Sequence, residues 1–177
     1  FSLALVVDGK PIVGVICDPF NNRTYYAIKN KGAYVNGNRI HVNDVTLEDK
    51  RCIGHYDMWK LAKYDIYDCM RELSKKTYYT SIGSVARACT CVASGEYSVV
   101  IFPGSKGKHC DVAAAKVIVE EAGGKFTDLF GNEHELTDTD MVIADASGIL
   151  ALAGVIGGSR GSFTENTKNI ILESAYF

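Results

Sequence analysis

No stretch of this sequence stays apolar for the roughly 20 residues that a membrane-spanning helix needs, and no secretory signal is visible ahead of the first apolar run. Basic charge is not in excess either. Nineteen Lys and Arg stand against 21 Asp and Glu, a balance that leaves no electrostatic footprint for nucleic acid or an anionic membrane. The six cysteines, Cys17, Cys52, Cys69, Cys89, Cys91 and Cys110, form no paired CxxC, so a zinc ribbon is not expected. Scattered over apolar stretches, they read as reduced core residues of a cytoplasmic protein. No Ser/His/Asp or Cys/His arrangement with a recognisable local context is present, nor is an internal repeat or a low-complexity segment.

What remains is a globular composition. The 177 residues are 47% hydrophobic and 23% charged, enough for one ordinary domain with a sizeable core. The first residue is Phe1 rather than Met, and both ends read as structured, so a fragment or a fusion piece is expected.

The first 42 residues read as an antiparallel meander. Phe1 to Val7 is an apolar run closed by Asp8-Gly9, a two-residue hairpin signal. Lys10 to Cys17 returns, Asp18 to Asn22 is turn chemistry, and Arg23 to Lys29 is a third strand. Gly32 to Val35 leads through Asn36-Gly37 into Arg39 to Val42. Then the texture changes. Cys52 to His55 reads as a short strand, Met58 to Ser74 has near-helical apolar spacing, and Lys76 to Ile82 is a Thr/Tyr-rich strand. Ser84 can cap a helix that Gly95 ends; Tyr97 to Phe102 is the next strand. Asp111 can cap a helix over Val112 to Ala122, stopped by Gly123-Gly124, with a strand at Lys125 to Leu129. Further strands are expected at Met141 to Ala144 and Asn169 to Leu172. Strands and helices alternating after a meander predict an α/β (α+β) layered sandwich.

Three groups could carry chemistry. Asp111 places a carboxylate at a helix start above small residues, suited either to a hard cation such as Mg²⁺ or simply to capping backbone N–H groups. Gly83-Ser84-Val85 is a turn into a helix whose free N–H groups could hold a ligand oxygen, although ordinary helices begin this way too. His55, His109 and Cys110 tempt a metal reading, but a lone His or Cys is more often packed or surface-lying. Lys106 and Lys108, on a Gly-rich loop, read as solvated.

In order and spacing these motifs resemble the inositol monophosphatase family. Phe1 to Pro19 is similar to that family's strand pair, Lys31-Gly32-Ala33-Tyr34-Val35-Asn36-Gly37 to its next stretch, and Ser81-Ile82-Gly83-Ser84-Val85-Ala86 to its Gly-Ser/Thr-Ala turn. Asp111-Val112-Ala113-Ala114, followed by Val119 to Lys125, resembles its Trp-Asp-x-Ala motif and helix, with Cys110 in place of Trp. The resemblance implies Mg²⁺-assisted hydrolysis of a small phosphorylated substrate such as inositol monophosphate. It implies substrate contacts at Gly83, Ser84 and Val85, and Asp111 as metal ligand. It further implies a homodimer, or pairing with an N-terminal half. The family's acidic Asp-Pro-x-Asp-Gly-Thr motif is not in this sequence, and Asp18-Pro19 is not followed by Asp-Gly-Thr. The chain alone is therefore expected to be inactive.

The tail carries a second resemblance. Val142 to Asp145, Leu150 to Gly158 and Thr164 to Phe177 are similar to the bacterial phenylalanyl-tRNA synthetase β subunit, in its B3/B4 editing region. That likeness implies pocket positions at Ala153, Gly154 and Glu173, and nucleic acid as a partner only under this alternative. The expected division is a phosphatase-like part at 1–132 and a synthetase-like tail at 133–177, as in a chimera joined near Phe126 to Leu136. A non-catalytic structural piece is the remaining alternative.

Overall fold

The computed structural model describes residues 1–57, 65–102, 110–128, 131–132, 142–145, 148–152 and 156–157, with 110, 111 and 142–157 described as backbone. The meander comes first. Strands β1 (Ser2–Val7), β2 (Lys10–Asp18), β3 (Arg23–Ile28), β4 (Gly32–Val35) and β5 (Asn38–Ile40) form one antiparallel sheet in chain order. Two of its turns are of the kind the sequence signals. Asp8 and Gly9 have φ of 50° and 71°, and Asn36 and Gly37 have 48° and 85°. Both central residues of such a tight hairpin must lie at positive φ, which Asn, Asp and Gly tolerate best.

A second sheet holds β6 (Ile53–Tyr56), β7 (Tyr78–Thr80) and β8 (Val99–Ile101), in the order β7-β6-β8 and all parallel. Parallel neighbours need crossovers. Helix α1 (Tyr67–Leu73) lies between β6 and β7, and α2 (Val85–Ala93) between β7 and β8. Helix α3 (Cys110–Glu121) follows β8, and β9 (Val142–Asp145), β10 (Gly148–Leu152) and β11 (Ile156–Gly157) form a small antiparallel sheet.

The core lies between the meander and α3. Val112 to Val119 are all buried, and a helix buried around its whole girth is a central one. It packs against β1, β2, β3, β4 and α2, while α2 also touches β8 and so joins the two sheets. The approach is close because both partners are small. A Cβ on Gly14 would lie 2.5 Å from the Ala114 carbonyl oxygen and 3.0 Å from its Cα, so strand and helix backbones are nearly in contact. Around that point Ala4, Ile16, Tyr25, Ala27, Val117 and Ile118 close the core. Each large aliphatic side chain so buried contributes about 1.5–3 kcal/mol. At the far end of α3, the Glu121 carboxylate accepts the N–H groups of Asn30 and Gly32, both at 2.7 Å, and ties the β3–β4 turn to the helix.

The layered α+β architecture is as the sequence predicts; the differences are local. Helix α3 begins at Cys110, so Asp111 sits inside its first turn and is not the cap. Of the strand expected at Lys125 to Leu129, the described part, up to Asp128, holds a single bridge at Thr127. The chain turns back at once there: the Asp128 N–H reaches the Asn132 carbonyl, and the Asp128 carboxylate accepts the Asn132 N–H. Of the helix expected at Met58 to Ser74, the described part is α1, which has no buried residue. Residues 58–64 and the strand expected at Asn169 to Leu172 lie outside the described residues.

Candidate functional site

In an open parallel sheet, the carboxyl ends of the strands are where chains leave for helices and where ligands are bound. Here that edge collects several groups. Asp57 follows β6, Ser81 follows β7, and the chains leaving β7 and β8 enter α2 and α3. The Asp57 N–H donates to the carbonyl of Ile101, the last residue of β8, at 3.1 Å, so the ends of β6 and β8 are pinned together.

Gly83, Ser84 and Val85 sit at this edge, at the start of α2. Gly83 has φ +67°, and a Cβ there would meet nothing within 4 Å. Ser84 is the cap: extended at φ −138°, ψ 105°, its Oγ accepts the Arg87 N–H at 3.4 Å. The first N–H groups of a helix have no acceptor within it; Ser84 takes one of them, and both Gly83 and Ser84 are exposed. Val85 is half-buried and packs at the margin of the core. Asp111 lies in the first turn of α3, the helix that follows β8 in chain order. The stretch 103–109, which includes His109, Lys106 and Lys108, lies outside the described residues, as do Ala153, Gly154 and Glu173.

Beneath the turn is a buried polar chain. His55 is fully buried and Asp57 is 5% exposed. His55 Nε2 is 2.7 Å from Asp57 Oδ2, and Ser81 Oγ donates to Asp57 Oδ1 at 2.5 Å. The His55 ring stacks on Tyr97 with centroids 6.3 Å apart, and its Nδ1 is buried without a partner among the described residues. Beside it, Tyr56 Oη and Thr77 Oγ1 share a buried hydrogen bond of 2.7 Å. Burial pushes the Tyr56 phenol up, with the Thr77 hydrogen bond opposing. From sequence His55 reads as packed or surface-lying, and the structure buries it; Asp57 is not singled out there. The available signal was the period-two alternation of a strand, which puts residues 55 and 57 on one face.

The cysteines are core residues in the main. Cys52, Cys89 and Cys91 are buried, Cys17 is partly so, Cys69 is exposed, and these five are free thiols. Desolvation pushes the Cys89 thiol up to about 12 and that of Cys91 up to about 11, so neither is a nucleophile near neutrality. Among the described residues, no group of three or more His, Cys, Asp or Glu is gathered as a metal ion would require.

A family model described as the inositol monophosphatase family matches residues 1–157, running past the boundary expected at 132. A fructose-1,6-bisphosphatase/inositol-1-monophosphatase of Thermococcus kodakarensis is 31% identical over 151 residues, 83% of this chain and 56% of that protein. An IMPase structure from Thermotoga maritima superposes with a TM-score of 0.64 at 30% identity, covering 75% of this chain and 50% of that one. The chain thus spans about half the length of these phosphatase relatives. A phenylalanine–tRNA ligase β subunit of Rickettsia felis is 43% identical over 94 residues, 53% of this chain but 10% of that protein. That match is longer than the expected tail, and most of it must fall inside 1–157.

Proposed function

Since the chain belongs to the inositol monophosphatase family, we propose that it is part of a Mg²⁺-dependent phosphomonoesterase acting on a small phosphorylated polyol such as inositol monophosphate. The observation that carries this reading is the exposed Gly83-Ser84 turn, set at the carboxyl edge of the parallel sheet, with α3 and its Asp111 following β8 in chain order. In this proposal Gly83, Ser84 and Val85 receive the substrate's hydroxyl-bearing part, and Asp111 is a metal ligand.

Members of this family are generally metal-dependent, and a hard cation takes six or more oxygen ligands. Among the described residues no such set is gathered. The remaining ligands would come from a second half or a second copy, and the protein would work as such a pair, in the cytoplasm. No described helix is long and apolar enough to cross a membrane.

Phosphate release from inositol monophosphate in Mg²⁺ tests this. The chain alone should give none. Adding an upstream half from a family member should restore turnover, and Asp111→Asn should return it to background. No turnover in any pairing would sink the catalytic reading. The ligase match favours a second reading, an editing fragment acting through a pocket at Ala153, Gly154 and Glu173. Hydrolysis of mischarged tRNA that disappears in Glu173→Ala would support it.

A further inference from the structure

We infer that Ser81 is a specificity-determining contact for the substrate's hydroxyl groups, and that Asp57 and His55 are positioning residues that make its oxygen an acceptor. The inference rests on the phosphomonoesterase reading and names which part of the substrate this edge takes.

An ionised carboxylate can only accept hydrogen bonds. Asp57 is almost wholly buried, and its two oxygens are each engaged, Oδ1 by Ser81 and Oδ2 by His55. The Ser81 hydroxyl directs its proton inward, to Asp57 Oδ1. A serine hydroxyl has one proton and two lone pairs. With the proton committed to Asp57, the lone pairs remain for a partner outside, and Ser81 is an exposed residue. It stands two residues before Gly83 and three before the Ser84 cap, so it opens the same turn.

Such an oxygen discriminates. It can accept from a polyol hydroxyl, which has a proton to give. It has no proton left for a phosphate oxygen. The phosphoryl group must then lie away from Ser81, with the hydroxyl-bearing leaving group toward it. Held by stacking on Tyr97 and fixed at Nε2, His55 is suited to orienting the Asp57 carboxylate.

The test is a titration of the full chain in Mg²⁺, followed by amide NMR, with myo-inositol 1-phosphate and with phenyl phosphate, whose leaving group bears no further hydroxyl. The wild type should bind inositol phosphate more tightly. Ser81→Ala should weaken inositol phosphate by roughly fivefold to tenfold, the value of one hydrogen bond, and leave phenyl phosphate unchanged. Ser81→Thr, which keeps the hydroxyl, should restore discrimination. Asp57→Asn, whose amide can donate to Ser81 Oγ, should lose it without touching the ligand. Equal weakening of both ligands, no weakening, or no preference in the wild type would each overturn the inference. Discrimination through Ser81 with no phosphate release in any pairing would instead leave it standing and remove the phosphatase reading.

Discussion

The antiparallel meander and the parallel sheet of this molecule spend their buried surface differently. The meander is built from neighbours in sequence, paired by short turns, and its inner face meets α3 through Ala4, Ile16, Tyr25 and Ala27. The parallel sheet β7-β6-β8 is built from strands far apart in sequence, and its buried groups include His55, Tyr56, Asp57 and Thr77, joined by hydrogen bonds. Apolar packing tolerates little change of volume. A buried polar network tolerates little change of partner. The first arrangement makes a scaffold; the second fixes where protons point, which is what a recognition edge requires.

The contrast is broken most severely at a glycine. In the meander, a side chain on Gly14 would strike the backbone of Ala114, which cannot turn aside. Gly14→Val should cost about 3 kcal/mol or more, since overpacking of this kind runs to that size and beyond; the urea midpoint measures it. In the parallel sheet, a Cβ on Gly54 would meet the Tyr56 ring, a side chain. Gly54→Ala should therefore be the milder of the two. If Gly14→Val proved as mild as Gly54→Ala, the scaffold would be less tightly packed than the contact between β2 and α3 indicates.

The polar sheet is probed by removing one atom. Tyr56→Phe deletes the hydroxyl bonded to Thr77 Oγ1, but Thr77 still donates to the Leu73 carbonyl at 3.0 Å. The loss should be about 1 kcal/mol, the usual net worth of one hydrogen bond, read from the same denaturation curve. A cost nearer zero would show that shape, and not hydrogen bonding, holds this sheet.

The same contrast explains what was legible in the sequence. Local devices could be read: Asp8-Gly9 and Asn36-Gly37 turn where their backbone freedom allows, and Ser84 caps α2. The apolar run after Asp111 forms the central helix. What could not be read depends on partners distant in the chain. That β6, β7 and β8 are parallel follows from crossovers, not from any short motif. The pairing of Asp57 with Ser81 across 24 residues is invisible until β6 and β7 lie side by side. So the Gly83-Ser84 turn was found from sequence, while the carboxylate beneath it was not. Asp111 was read as a cap and lies one position into its helix, a matter of a single residue at a helix end.

Between the two regions lies a charged seam, and it gives the smallest effect. Arg23 of β3 reaches Glu96 at 2.5 Å, and Arg87 of α2 reaches Asp18 at 3.2 Å and Glu96 at 3.6 Å. Desolvation works to raise the Glu96 carboxyl, but the hydrogen bond and charge of Arg23, with Arg87 behind, hold it below its ordinary 4.5. The hydrogen bond from the Asn21 side chain, aided by Arg87, likewise holds Asp18 below 3.8. A carboxyl lowered on folding adds stability that is present above its unfolded value and lost as pH falls through the folded one. The seam should therefore weaken from about pH 4.5 downward. Glu96 and Arg23 are each about two-fifths exposed, and solvent screening leaves a contribution of about half a kcal/mol, as a surface pair supplies. Glu96→Gln should flatten the acid limb of the stability curve by that amount while leaving stability at neutral pH lower than that of the wild type. An unchanged acid limb would mean that the meander and α2 are joined by packing alone, with the ion pairs riding on a contact they do not strengthen.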